Sequence, residues 1–123
     1  MEFSQPKGIY QQIAEQMQDR ILQGEWLEGE RIPSIRELAV EIGVNPNTVT
    51  KTYQSLTDLG VIETQRGRGY FVADGARRRI LDALREEFVR EDLPQVFRRM
   101  QLLDFSIDEL AASFGEFAEG EGR

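Results

Sequence analysis

The chain has no cysteine and no histidine. The first absence removes disulfides and thiolate metal sites. The second removes the commonest general base and the commonest metal ligand. Carboxylate-only sites remain open, but nothing is spaced like a calcium loop. No segment approaches the apolar length that spans a bilayer. The opening MEFSQPKGIYQQI has neither a basic start followed by an apolar stretch nor a small-residue cleavage site. These absences lead us to expect no enzyme, no metal or cofactor, no membrane, and a cytoplasmic location.

What is present is enough for one globular core, or for one small domain with a helical appendage, within 123 residues. A 40% apolar fraction argues against wholesale disorder. The net charge is −7, but its distribution matters more than its sum. Residues 1–30 hold two Lys/Arg against six Asp/Glu, a balance of −4. Residues 31–79 hold eight against five, +3, and residues 80–123 hold five against eleven, −6. A locally basic middle thus lies between acidic flanks, and overall acidity does not exclude a nucleic-acid partner.

The pattern of elements is mostly helical, with no internal repeat. Ile9, Ile13, Met17 and either Ile21 or Leu22 recur at near-helical spacing and predict a first helix over 9–23, stopped by Gly24. GEWLEGERIP then reads as a loop, with Trp26 and Leu27 tucked against the core. Ser34 and Glu37 form a capping box ahead of a helix whose face carries Ile35, Leu38, Ala39 and Ile42 and which ends at Gly43. Asn45 caps the next helix, Pro46 takes its first position, and Gly60 follows its end near Leu59. Two capped helices across GVNP make a helix-turn-helix. The strand-like stretches Val61 to Thr64 and Tyr70 to Val72 flank Gly67 and Gly69, a hairpin with Arg66 and Arg68 at its tip. A helix-turn-helix followed by a basic-tipped hairpin describes a winged helix.

From Gly75 a helical pattern resumes, with Pro94 inside it to kink or divide the helix. Ser106 and Glu109 open a last short helix, and GEFAEGEGR reads as a frayed tail. These segments carry more apolar surface than a lone helical pair buries. The expected cover is a second copy of the chain, meeting it through Leu84, Phe88, Phe97, Met100, Leu103, Leu110 and Phe114. The fold class expected is α+β, mostly α: a winged helix-turn-helix domain over 1–73 and a C-terminal helical dimerisation region over 74–123.

On a helical wheel, Val49, Thr52, Tyr53, Leu56 and Leu59 form the core side of helix 45–59. The opposite side shows Asn47, Lys51, Gln54 and Asp58, with Thr48 and Thr50 on its shoulders. In helix-turn-helix proteins the start of the second helix enters the major groove. Asn and Gln pair with adenine edges, Thr methyls meet thymine methyls, and Lys reaches guanine or phosphate. The competing reading is a solvated helix face. Arg36 is either a phosphate contact at a helix N-terminus or a surface solubiliser. Arg66 and Arg68, flanking Gly67, suit a narrow minor groove or are an ordinary charged tip. Arg77, Arg78 and Arg79 either touch flanking phosphates or pair with Asp82 and Glu86 in their own helix, the second being preferred.

These residues resemble a known family. PSIRELAVEIGVNPNTVTKTYQSLTDLGVIETQRGRGYFV is similar to the DNA-binding domain of GntR-type bacterial transcription regulators, and IYQQIAEQMQDRILQGEW resembles that family's leading helix. The matching elements are P-S-x-R-E-L-A, G-V-N-P-N-T-V, the aromatic-x-x-L, L-G-V-I, and R-G-x-G-x-F-V. The remaining residues resemble the short C-terminal part of the YtrA-like branch, which implies dimerisation and no large ligand-binding domain. By position, the resemblance implies DNA contacts at Arg36, Asn45, Asn47, Thr48, Thr50, Arg66, Gly67 and Arg68; Lys51 and Gln54 are added from the helix face itself. Many members carry Arg where this chain has Pro46 and Thr50, so their operator sequences do not transfer. The chain also lacks the aminotransferase-like extension of another branch, which speaks against a cofactor.

The expected function is that of a homodimeric repressor reading a pseudo-palindromic operator, with helix 45–59 in the major groove and wing 62–72 in the minor groove. The alternative is a winged helix that binds protein instead of DNA, a version with little reason to keep a basic wing tip. Non-specific packaging is disfavoured by the charge of −7. A small-molecule effector in the dimer interface stays open, although no polar cluster points to one.

Overall fold

The computed structural model describes residues 8–121. The chain divides into two compact units, one running through Leu84 and the other starting at Arg85. The first unit contains three helices, α1 (Ile9–Leu22), α2 (Ile35–Ile42) and α3 (Pro46–Asp58), then strands β1 (Ile62–Gln65) and β2 (Gly69–Val72). It also holds most of α4 (Ala76–Glu87), whose Ala76 and Ile80 are buried. The residues before Gly8 and after Glu121 fall outside the described part, including the last two of the GEFAEGEGR tail.

The helix ends are where local chemistry decides the fold. The Ser34 hydroxyl accepts from the Glu37 N–H at 3.1 Å, and the Glu37 carboxylate accepts from the Ser34 N–H at 2.8 Å, completing the capping box. Gly43 ends α2 in the left-handed conformation at φ 70°. Two residues later the Asn45 side chain accepts from the Asn47 N–H at 2.8 Å, with Pro46 at the first helical position. The helix-turn-helix is therefore set by caps on both sides of three linking residues.

Packing then fixes α3. Val49, Thr52, Tyr53 and Leu56 are fully buried, facing Ile13, Met17, Leu38 and Val72 in one core. The Tyr53 hydroxyl donates to the Pro33 carbonyl at 2.6 Å, and its ring meets Tyr70 edge-on at 4.8 Å. Burial raises the Tyr53 pKa, so this hydroxyl remains a donor across the physiological range. Leu59, expected on the core side, is 51% exposed, because α3 ends at Asp58 and Gly60 turns the chain away at φ 77°.

The wing is a two-stranded antiparallel hairpin, Ile62 opposite Val72 and Gln65 opposite Gly69. The preceding segment, expected as a plain loop, joins it. Ile32 N–H donates to the Tyr70 carbonyl and Val72 N–H to the Glu30 carbonyl, both at 2.9 Å, with Arg31 bridged to Phe71. Trp26 packs on the core as expected, under the Arg20 guanidinium, whereas Leu27 is exposed because its neighbours turn toward the wing. At the wing's base Arg79 donates to the Gly60 and Asp74 carbonyls at 3.1 and 2.9 Å. Gly60 takes the positive φ that this turn requires of glycine, and a Cβ there would sit in tight contact, 3.3 Å, with that arginine's side chain. The Arg77 side chain donates to the Leu22 carbonyl, and Arg78 pairs with Asp82 at 3.3 Å. Only Arg78 thus makes the intrahelical pair expected of this triplet; its neighbours fasten backbone.

The second unit continues the helix of α4. A π-helical stretch, Phe88–Asp92, precedes α5 (Leu93–Leu103), with Pro94 in the first turn of α5. Proline lacks the N–H of an α-helical bond, and the wider turn absorbs that loss, so the expected interruption takes the form of a π-turn. α6 (Ile107–Glu121) begins with the Ser106 hydroxyl accepting from the Glu109 N–H. It is longer than the short helix expected, and residues 115–121 of the expected frayed tail are helical. Phe117 continues the spacing of Ile107, Leu110 and Phe114, which explains the extension.

Two outcomes test this packing. Tyr53→Phe orphans the Pro33 carbonyl and should cost about 1–2 kcal/mol, seen as a lower urea midpoint with an unchanged slope; an unmoved midpoint would show that the bond contributes nothing. The second concerns Glu28, whose carboxylate accepts from the Gly75 N–H at 2.8 Å and the Arg77 N–H at 3.2 Å. Those bonds, the Gly75 one foremost, hold its pKa below the ordinary carboxylate value. A depressed folded value stabilises above the unfolded pKa of about 4.3, and that stability is lost as pH falls through the folded value. Glu28→Gln should therefore lower the melting temperature at pH 7, with the two proteins converging toward pH 3. A gap of equal size at both pH values would contradict this.

Candidate nucleic-acid interface

With one side of α3 sunk in the core, its other side is free. Asn47, Thr50, Lys51 and Gln54 are exposed and Thr48 is half-buried. Each has its position from local chemistry. Thr50 Oγ1 donates back to the Pro46 carbonyl at 3.0 Å. Thr52, next to Lys51 on the buried side, places its hydroxyl 3.1 Å from the Tyr10 carbonyl and 3.0 Å from the Thr48 carbonyl, sharing one proton between them. That contact ties α3 to α1 across 42 residues of sequence.

The wing lies beside this face. Thr50, Gln54, Thr57 and Asp58 of α3 line one groove with Thr64 and Tyr70 of the hairpin. The helix and the wing therefore share a surface. Arg66, Gly67 and Arg68 form the hairpin tip, with Gly67 at φ 73° and the Arg68 N–H closing the turn onto the Gln65 carbonyl at 2.9 Å. The Arg68 side chain is oriented by Gln65 Oε1 at 3.0 Å and lies over the Phe71 ring at 5.3 Å. Arg66 makes no ion pair or hydrogen bond among the described residues. The same holds for Arg36, exposed at the second position of α2.

Asn45, another residue of the expected set, has its side chain engaged as the α3 cap. Its carbonyl-type oxygen is occupied, leaving the amide N–H2 outward. Two residues not anticipated in this region emerge from the fold. Arg31 lies along the wing, its guanidinium 3.1 Å from where a Gly69 Cβ would stand. Tyr10 holds its ring 4.4 Å from the Lys51 ammonium. The R-I-P triplet offers too short a stretch to read as a strand. The Tyr10–Lys51 pair joins residues 41 apart and has no local signal.

The arrangement carries no nucleophile–base pair, and no group of carboxylates among the described residues is placed to hold a metal ion. It is suited to contact, not to bond-making. Its chemistry is amide, hydroxyl and methyl groups on a helix, flanked by guanidinium groups on a ribbon, which are the groups that read base edges and phosphates.

Known proteins share this arrangement. Residues 9–72 match the family described as "Bacterial regulatory proteins, gntR family". The uncharacterized HTH-type transcriptional regulator YhcF of Bacillus subtilis is 39% identical over 119 residues, 97% of this chain and 97% of that protein. The HTH-type transcriptional repressor YtrA of the same organism is 41% identical over 88 residues, 72% of this chain and 67% of the other. Among solved structures, a GntR-family transcriptional regulator from Bacteroides thetaiotaomicron superposes with a TM-score of 0.84 at 40% identity, covering 93% of this chain and 99% of that one. The AraR DNA-binding domain, solved in complex with operator ORR3, matches at a TM-score of 0.50 and 32% identity, covering 59% of this chain and 95% of its own. These relatives are regulators of transcription, not enzymes. With its winged helix-turn-helix matched as a unit and a relative matched along nearly its whole length, the chain belongs to the GntR family of transcriptional regulators.

Proposed function

We propose that the protein is a repressor that binds a pseudo-palindromic operator as a homodimer in the cytoplasm. The observation that carries this reading is the shared surface of helix and wing, where Thr50 and Gln54 line a groove with Thr64 and Tyr70 of the hairpin. The start of α3 enters the major groove, with Asn47, Thr48, Thr50, Gln54 and the outward amide of Asn45 toward base edges. The wing reaches the adjacent minor groove with Arg66 and Arg68, Gly67 allowing close backbone approach. Arg36 meets a phosphate at the start of α2, where free N–H groups add to its charge. Support for an operator as the target comes from the AraR domain, solved on one, and support for repression from YtrA, which carries that name.

The second half of the reading is pairing. Residues 1–73 do the reading and 74–123 bring two copies together. In the second unit Phe88 is 49% exposed, Phe97 44%, Leu103 65% and Phe114 68%, and Met100 and Leu110 are half-buried, while Leu84, at the end of the first unit, is 38% exposed. So much apolar surface on one short unit is the mark of an interface. A two-fold pair presents two recognition helices and two wings to the two halves of a symmetric site.

In vitro selection of DNA sites tests the whole reading. A two-fold-symmetric site should be enriched and persist at physiological salt; binding without enrichment that vanishes as salt rises would refute base reading. On the selected site, Asn47→Ala should relax discrimination at one base position by about 1–3 kcal/mol. Arg66→Ala should weaken binding across sequences of equal minor-groove width. Unchanged affinity in both would remove these contacts. For the pairing half, Phe97→Glu with Phe114→Glu should yield monomers by sedimentation and weaken operator binding on the order of a hundredfold. A variant still dimeric would place the interface elsewhere.

A further inference from the structure

We infer that Tyr10 is a positioning residue for Lys51, holding its ammonium at the α1 edge of the recognition helix where it meets a DNA phosphate instead of a base. The inference rests on the DNA-binding reading above. Thr50 and Lys51 are adjacent in sequence, so their side chains diverge by about 100° around α3. Thr50 faces the groove beside the wing. Lys51 leans the other way, its Nζ 4.4 Å from the centre of the Tyr10 ring. That ring is part of α1, and the Tyr10 carbonyl accepts from Thr52 Oγ1, so backbone and ring of one residue engage two successive residues of α3.

The charge of Lys51 makes no ion pair among the described residues, and it is exposed. A ring face attracts the ammonium without neutralising it or using its three N–H donors. The lysine chain has four rotatable bonds and would otherwise sweep much of the helix face. Held at the edge, it lies where the sugar–phosphate strand runs past a helix seated in the major groove, while Asn47 and Gln54 keep the base edges. Such a contact sets register and adds salt dependence without adding sequence information.

A double-mutant cycle on the selected operator tests this, with fluorescence anisotropy titrations across a salt series and melting curves as the fold control. Lys51→Met should weaken the operator and a one-base-changed site by the same factor and reduce the salt slope by about 1. Tyr10→Leu should lower affinity about two- to fivefold in the native background, the value of an exposed cation–π contact. In the Lys51→Met background it should change nothing. Tyr10→Phe, which keeps the ring, should retain native affinity. If the Tyr10→Leu loss persists without Lys51, the ring acts through helix packing and the inference fails. If Lys51→Met alters base preference, Lys51 reads a base and the inference also fails. Should Lys51→Met have no effect while Arg66→Ala does, positioning is overturned and DNA reading stands; wild-type protein that prefers no sequence overturns both.

Discussion

The structure depends on how α3 is held. Two neighbouring residues, Thr52 and Tyr53, lie fully buried, and their hydroxyls reach carbonyls outside their own helix, at Tyr10 (shared with Thr48) and at Pro33. Burying a polar group is costly unless it is paired. Among the described residues no buried side-chain polar atom lacks a partner. These bonds are directional where the surrounding Val49 and Leu56 contacts are not, so they set the rotation of α3 about its axis. That rotation decides which side chains face outward. A helix held by apolar contacts alone could roll; this one is registered against α1 on one flank and against the entry to α2 on the other.

The charges follow the same division. Arg20 pairs with Glu25 and Glu41 and covers Trp26, Arg78 pairs with Asp82, and Arg77 and Arg79 fasten backbone carbonyls. All of these but Arg78, whose pair lies within α4, join elements. Arg36, Lys51, Arg66 and Arg68 stay exposed. A protein of net charge −7 can thus present a positive face, because the field at a surface follows nearby charges within about 10 Å and not the sum over the molecule.

Much of this was legible in the sequence because it is local. The Ser34–Glu37 box, the Asn45–Pro46 start and the Gly43 and Gly60 stops are chemistry confined to a few residues, and each is present. The exposed face of α3 follows from the same arithmetic. What escaped is non-local or too short to carry a period. The Arg31 bridge depends on β2, forty residues away in sequence, and the segment that makes it has no alternating pattern. Leu27, in the loop after α1, and Leu59, just past the end of α3, are apolar residues where composition says inside and the turning backbone says outside. In the C-terminal tail the glycines spoke for fraying, but Gly115 and Gly120 are helical with open space around them, and the apolar spacing through Phe117 prevailed.

The Arg79 clasp has a mechanical consequence. It joins the two ends of the hairpin, at Gly60 and Asp74, so the wing is a lever with a fixed fulcrum. Four residues of strand make an arm on the order of 13 Å, along which a wobble of about 5° at the base moves the tip by about 1 Å. In the complex proposed above, with the wing in a minor groove about 6 Å wide, that would be the difference between entering and striking the wall. Aim at the tip is therefore set by an arginine at the far end of the arm, on a residue that need never meet DNA.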